Sequence, residues 1–187
     1  MRALAEKKAM TVDEFLGWVE SQPERPRLEL IDGRPVAMAP ERARHNIVKG
    51  RAFSTLDTAV RNSGLSCSVF TDGLTVVIDD QTAYEPDALV YCGEALAGDA
   101  VVVPEPVIIV EVLSPSTGNV DSGAKFHGYF SLASVRHYLV VDPEAKTIMH
   151  HRRSDAGEII TAIVRDGTFE LSPPGLAVRH GEIFENV

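Results

Sequence analysis

Apolar residues along the chain recur at two periods, and the changes between them divide it into elements. Thr11 stands where a helix cap is expected. Glu14 three positions on completes a capping-box pattern, and Phe15, Leu16, Trp18 and Val19 form the apolar side of a helix ending near Ser21. RLELIDGRPVAMAP then places two short strands around Asp32-Gly33, a tight hairpin signal, until Pro40 stops the second. Between Glu41 and Asn62 the spacing of Val48, Ala52, Leu56, Ala59 and Val60 is helical, and Ser63-Gly64 ends the run. CSVFTDGLTVVI predicts strand, Asp72-Gly73 turn and strand; DALVY predicts a short strand after Pro86; PVIIVEV is the most apolar strand of all. These strands form an expected antiparallel meander meeting a central strand.

Beyond Ser114-Pro115-Ser116-Thr117-Gly118, a loop by composition, a second amphipathic helix is predicted from Asp121 to Ala133. Its apolar stripe is Phe126, Tyr129, Phe130 and Ala133. HYLVVD follows. A strand, a helix and a strand of these lengths make one crossover unit, with HYLVVD parallel to PVIIVEV. TIMHHRR, EIITAIV and a turn-rich tail predict a C-terminal hairpin extension. The fold class is α/β in the broad sense, of the α+β kind, with no internal repeat or linker.

At 187 residues, 44% of them hydrophobic and 24% charged, the chain suits one globular domain. That domain is expected over 10–187, because Met10 opens a plausible start of its own and residues 1–9 read as a disordered extension. No apolar run is long enough for a signal peptide or a membrane span. Cys67 and Cys92 lie 25 apart without zinc spacing or disulfide density, so a reducing cytoplasm fits best and neither is given any chemistry. A net charge of −9 argues against coating nucleic acid by charge alone. It does not argue against a nuclease, whose centre concentrates acids and whose rim can be locally basic.

One position breaks the apolar pattern. Val107 to Val110 read as a buried strand and Glu111 is next in line, although an unpaired carboxylate in an apolar interior costs several kcal/mol. Two further acids fall at strand positions, Glu29 in the first hairpin and Asp87 directly after Pro86. Lys125 lies one turn from Tyr129, where its ammonium can reach back toward the strand end. Acids with a lysine suit phosphodiester hydrolysis. Carboxylates hold Mg²⁺, the ion neutralises the phosphate, and the lysine orients or activates the attacking water.

The order ELIDGRPVAMAP, His45 opening the long helix, EPDALV, VIIVEVLSPST, Asp121 with Lys125, then HYLVVDP resembles the Uma-type restriction endonuclease family of the PD-(D/E)XK nuclease superfamily. The resemblance implies a restriction-endonuclease-like mixed central sheet of four or five core strands flanked by helices, with N-terminal and C-terminal hairpin extensions. It implies that Asp87 is the metal-binding acid of the PD element and Glu111 the acid of the (D/E)XK element. Leu113 stands where the standard lysine would be, which makes Lys125, on the following helix, its substitute. Glu29 resembles an additional upstream acid. The resulting expectation is an endonuclease in which Asp87, Glu111 and Glu29 hold Mg²⁺, or Mn²⁺ in its place. Asp87, Glu111 and Lys125 carry the catalysis, and His45, Tyr129 and Asp121 are accessory. Gly118 departs from the family, which often has Arg there.

Plainer readings compete for the other candidates. His45 falls one turn before Val48 on the apolar face, where histidines usually serve packing. Ser114, Ser116 and Thr117 have no G-x-S-x-G elbow or histidine partner and suit a loop. His150 and His151 are adjacent on a strand and point to opposite faces, so they are a poor zinc pair, while Arg152 and Arg153 suit a DNA rim. The partner expected is nucleic acid, DNA above RNA, cut by a homodimer. The competing class is a non-catalytic binding or scaffold protein with the same fold, which a response of thermal stability to divalent metal would distinguish.

Overall fold

The computed structural model describes residues 9–24, 26–114, 121–185 and 187. Residues 1–8 of the expected extension, and Ser116, Thr117 and Gly118 of the loop, lie outside them. Helix α1 spans Val12–Ser21, and the expected capping box is in place: Glu14 N–H donates to Thr11 Oγ1 and Thr11 N–H donates to Glu14. Strands β1 (Leu28–Ile31) and β2 (Arg34–Ala37) form the hairpin around Asp32 and Gly33, both at positive φ as a tight turn of this kind requires. Helix α2 (Ala43–Ser63) ends at Gly64 in the left-handed conformation. Strands β3 (Ser68–Thr71), β4 (Val76–Asp79), β5 (Thr82–Tyr84), β6 (Ala88–Tyr91) and β7 (Ile108–Val112) follow. Then come α3 (Asp121–Ser131), β8 (His137–Asp142), β9 (Thr147–Arg153), β10 (Ile159–Val164), β11 (Thr168–Leu171), β12 (Leu176–Arg179) and α4 (His180–Ile183). Among the described residues no helix is long and apolar enough to cross a membrane.

A six-stranded mixed sheet, ordered β10-β9-β8-β7-β6-β3, is the centre of the fold. Strand β7 pairs parallel with β8, as the crossover pattern predicts, and antiparallel with β6. Both faces of β7 are covered. Ile108, Val110 and Val112 pack beneath α2 through Val48, Ala52, Leu56 and Val60, together with Leu171, Leu176 and Val178 of the C-terminal hairpin. Ile109 faces the other way, with Leu89, Tyr138 and Val140, against Tyr129 of α3. A strand buried on both faces must be apolar at nearly every position, and PVIIVEV meets that demand.

The expected β3–β4 hairpin does not form. Strand β3 pairs with β6, whereas β4 crosses into a second sheet, ordered β2-β1-β5-β4, where it pairs with β5. The three residues of β5 are too few to show a period, and without them β4 had no visible partner except β3. Their side chains are nonetheless buried: Ala83 packs with Val12, Phe15 and Leu30 beneath α1, and Tyr84 joins Val76 and Tyr129 on the central core. The N-terminal hairpin is therefore half of a four-stranded sheet rather than an extension.

The pairing of β3 with β6 also corrects the reading of the cysteines. Ser68 lies opposite Tyr91, the next step brings Cys67 opposite Cys92, and the two are joined in a disulfide. Spacing alone could not show this, because it depends on which strands are neighbours. Arg153 likewise does not extend a basic rim; it donates to the carbonyls of Phe130, Leu132 and Val135 at the end of α3.

Leu56 is fully buried at the centre of the α2 interface. Leu56→Ala is expected to lower the unfolding free energy by about 2–5 kcal/mol, since the surrounding sheet cannot collapse into the void. Urea titration with an unchanged slope checks this.

Candidate functional site

Strands β6 and β7 end together, and their last side chains make the site. Ala88 lies opposite Val110, so Asp87, the residue just before β6, falls beside the end of β7 that carries Glu111. Pro86 has no N–H with which to carry the ladder on. Side chains engage the Val112 backbone instead: its N–H donates to Asp87 Oδ2 at 2.7 Å, and its carbonyl accepts from His45 Nε2 at 2.9 Å. His45 comes from the first turn of α2, beneath one face of the sheet, and Lys125 from α3 on the other.

Lys125, Glu29 and Asp87 are 8%, 6% and 5% exposed, so each must find a partner within the protein. The Lys125 ammonium donates to Glu29 Oε1 and to Glu111 Oε1, both at 2.9 Å, and lies 5.5 Å from the centre of the Tyr84 ring. Tyr129 donates its hydroxyl to Glu111 Oε1 at 2.7 Å, and Glu29 Oε1 also accepts from the Glu85 amide at 3.0 Å. Gly128 makes this approach of α3 possible: a Cβ there would fall 2.8 Å from Tyr84 Cε2.

Burial pushes the Glu111 carboxyl up to about 7 against the downward pull of Lys125, and the charges of Asp87 and Glu29 push the same way. Burial alone would lower Lys125, but Glu111 and Glu29 hold its ammonium above the ordinary lysine range. Burial and the neighbouring Glu111 together raise Tyr129, which keeps its proton to donate.

A second set of charges backs His45. Its Nε2 lies 3.4 Å from Asp87 Oδ2 and its Nδ1 lies 3.6 Å from Glu41 Oε2. Burial opposes protonation of this imidazole, yet Asp87 and Glu41 raise its pKa. Glu41 is itself tightly held. Lys49 Nζ donates to it and to Asp72, Arg27 donates to it at 3.0 Å and to Glu85 at 2.7 Å, and Asn46 reaches its other oxygen at 3.1 Å. Despite its desolvation, hydrogen bonds from Lys49, Asn46 and Arg27 lower the Glu41 carboxyl to about 2.

Glu29, Glu41, His45, Asp87, Glu111 and Lys125 line one cleft of about 310 Å³, walled opposite by Val36 to Pro40. The sequence-derived candidates Glu29, Asp87, Glu111, Lys125 and His45 are thus brought together. Tyr129 stands behind Glu111. The side chain of Asp121 lies outside the described residues. Glu41, Lys49 and Arg27 went unread, although Glu41, just before α2, and His45 and Lys49 within it are spaced four residues apart.

The donor set fits a hard divalent cation. Donor atoms of Glu41, His45 and Asp87 lie within 4.8 Å of one another, with Glu111 lining the same cleft. His45 Nδ1 is buried without a hydrogen-bond partner among the described residues. Oxygen donors with one imidazole suit Mn²⁺ and accept Mg²⁺.

Because the folded carboxyl of Glu111 titrates near 7 and an unfolded one near 4.5, the folded state binds the extra proton between those values. Its contribution to stability therefore falls as pH rises from about 4.5 to 7, by at most about 1.4 kcal/mol per pH unit. Urea titrations of the parent and Glu111→Gln across that range should diverge, the parent losing stability relative to the variant as pH rises. Parallel curves would contradict the shift.

Residues 12–179 match the family described as "Uma2: Putative restriction endonuclease". Two uncharacterized proteins of Synechocystis sp. are similar over most of their length. One, slr1290, is 29% identical over 170 residues, covering 90% of this chain and 87% of its own. The other, sll1609, is 25% identical over 155 residues, 82% of this chain and 86% of its own. A crystal structure described as a putative nuclease belonging to DUF820, from Anabaena variabilis, superposes with a TM-score of 0.71 at 18% identity. It covers 94% of this chain and 97% of that one, and shows the same fold. With the family match running from the first helix to the last strand, the chain belongs to the Uma2 family of restriction-endonuclease-like proteins.

Proposed function

We propose that this protein is a divalent-metal-dependent endonuclease that hydrolyses phosphodiester bonds in DNA, with the cleft at the end of β7 as its active site. The observation that carries the reading is the meeting of Asp87, Glu111 and the Lys125 ammonium in one cleft at the end of β7. Family membership supports nucleic acid as the substrate.

In this reading Asp87 and Glu111 hold the ion, with His45 Nε2 and the Val112 carbonyl as neighbouring donors. The ion, Mg²⁺ or Mn²⁺, would supply positive charge to the scissile phosphate and lower the pKa of a coordinated water. Lys125 orients the attacking water from the Glu111 side and offsets negative charge that develops on the phosphate. Tyr129 fixes the Glu111 carboxylate by donating to it. Glu29 was expected among the ligands, but its Oε1 is engaged with Lys125 and the Glu85 amide, which favours a role in holding the lysine. A homodimer would present two such clefts, one for each strand of a duplex.

Two variants separate these roles. Asp87→Asn should remove Mn²⁺ binding in calorimetry carried to millimolar metal, together with cleavage of labelled DNA. Lys125→Met should keep Mn²⁺ binding while slowing cleavage by about 100-fold or more. Equal binding by the parent and Asp87→Asn would remove Asp87 from the metal site. A parent that binds Mn²⁺ but cuts neither DNA nor RNA would favour the non-catalytic scaffold.

A further inference from the structure

We infer that a second cavity, beside the cleft, is the subsite for the nucleotide next to the scissile phosphate, with Arg42 taking its phosphate and Leu113 and Pro143 meeting its base. This inference rests on the nuclease reading above and gives the substrate strand a path away from the cleft.

The cavity holds about 300 Å³ and shares His45, Leu113 and Ser114 with the cleft, but not Asp87, Glu111 or Lys125. It lies outside the carboxyl ends of β7 and β8, the parallel pair within the six-stranded sheet, a place where open α/β sheets receive ligands. Leu113 N–H donates to the Val141 carbonyl at 2.8 Å, which continues the pairing past the end of β7 and sets Leu113 beside Asp142 and Pro143. The start of α2 forms the opposite wall through Arg42 and Arg44. Small-molecule sites span roughly 300–1,000 Å³, so this one has room for a single nucleotide. A strand leaving the cleft over Leu113 and Ser114 enters it directly.

Two acids and two arginines line the cavity, and three of the four are already engaged. Asp142 Oδ1 accepts from the amides of Glu144 and Ala145 at 2.8 and 2.9 Å, which holds the turn after β8. Arg44 bonds Glu144 at 2.5 Å and so joins the two walls. Arg42 is exposed and has no side-chain partner among the described residues. A guanidinium without a carboxylate suits a phosphate, whose oxygens it can take two at a time. In this it differs from Arg27 and Lys49, whose bonds to acids leave little for a substrate. Pro143 is buried and Leu113 half-buried, so this part of the lining is apolar and suits the face of a base better than a second phosphate. The chain's net charge of −9 repels nucleic acid at long range, which raises the weight of a cation placed beside the cleft.

The test uses the whole protein and a fluorescein-labelled DNA oligonucleotide with 4-thiothymidine in place of thymidine, in Ca²⁺, with a gel run alongside to confirm that the strand is intact. Arg42→Ala should weaken binding roughly 10-fold and lower the slope of log Kd against log salt by about one. Arg42→Lys, which keeps the charge, should recover part of that loss. Arg165, exposed just beyond edge strand β10, is the control, and Arg165→Ala should bind as the parent does. Irradiation should attach the thio base to the peptide that carries Pro143. In Mn²⁺ the loss in Arg42→Ala should fall on KM more than on kcat, with Mn²⁺ affinity by calorimetry equal to that of the parent.

Parental affinity and salt slope in Arg42→Ala would overturn the inference. So would an equal loss in Arg165→Ala, which is what diffuse attraction gives, or crosslinks that leave out the Pro143 peptide. A parent that binds the strand but cuts neither DNA nor RNA would remove the catalytic reading, and the comparison of Arg42→Ala with Arg165→Ala would still decide the subsite. A parent that binds no oligonucleotide would overturn both.

Discussion

The ammonium of Lys125, held between the carboxylates of Glu29 and Glu111, is the interaction that joins the two sheets at the site. Its partners come from different places: Glu29 from the four-stranded sheet, Glu111 from the six-stranded sheet, and the lysine from the helix packed over both. Removing the lysine would leave two buried carboxylates without their cation, at a cost of several kcal/mol. The aromatic shell of Tyr84, Tyr129 and Tyr138 closes around them with ring centres 5.2–5.3 Å apart and keeps the local dielectric low. In that setting Glu111 is poised between charged and neutral, a state that a divalent cation would resolve toward the carboxylate.

Rigid posts support this arrangement from below. Asp87 and Glu111 stand on strand ends whose other residues are buried on both faces. Helices α2 and α3 lie on opposite faces of the sheet, yet both send a polar side chain to the same strand end. The chain carries a net charge of −9, and two cations at the cleft, Lys49 and Lys125, are buried. Lys49, Arg27 and Lys125 are each bonded to at least two acids, so they act first on the geometry of the carboxylates.

Glu111 stood out in the sequence because a charge follows directly on VIIV, and Lys125 because its spacing from Tyr129 sets it beside an apolar stripe; each also had a plainer structural reading, and the family resemblance decided between them. The capping box at Thr11, the hairpin at Asp32-Gly33 and the parallel pairing of β7 with β8 were legible too, since each depends on neighbours close in the chain or on one crossover. The second sheet was not. Its key strand, TAY, is three residues long, and its partners, β1 and β4, were each given a nearer neighbour. The same error hid the Cys67–Cys92 bond, which requires β3 beside β6. Glu41 escaped notice because it precedes the helix, and its meaning depends on Arg27, which reaches it from elsewhere in the chain.

The most direct test of the account is a crystal of the protein soaked in Mn²⁺, with data collected where manganese scatters anomalously. The expected result is one strong peak in the cleft, about 2.0–2.3 Å from oxygens of Asp87 and Glu111 and from Nε2 of His45. Lys125 should still reach Glu111. A cleft without a peak at millimolar metal, or a peak bound to Glu41 and His45 Nδ1 and not to Asp87 and Glu111, would contradict it.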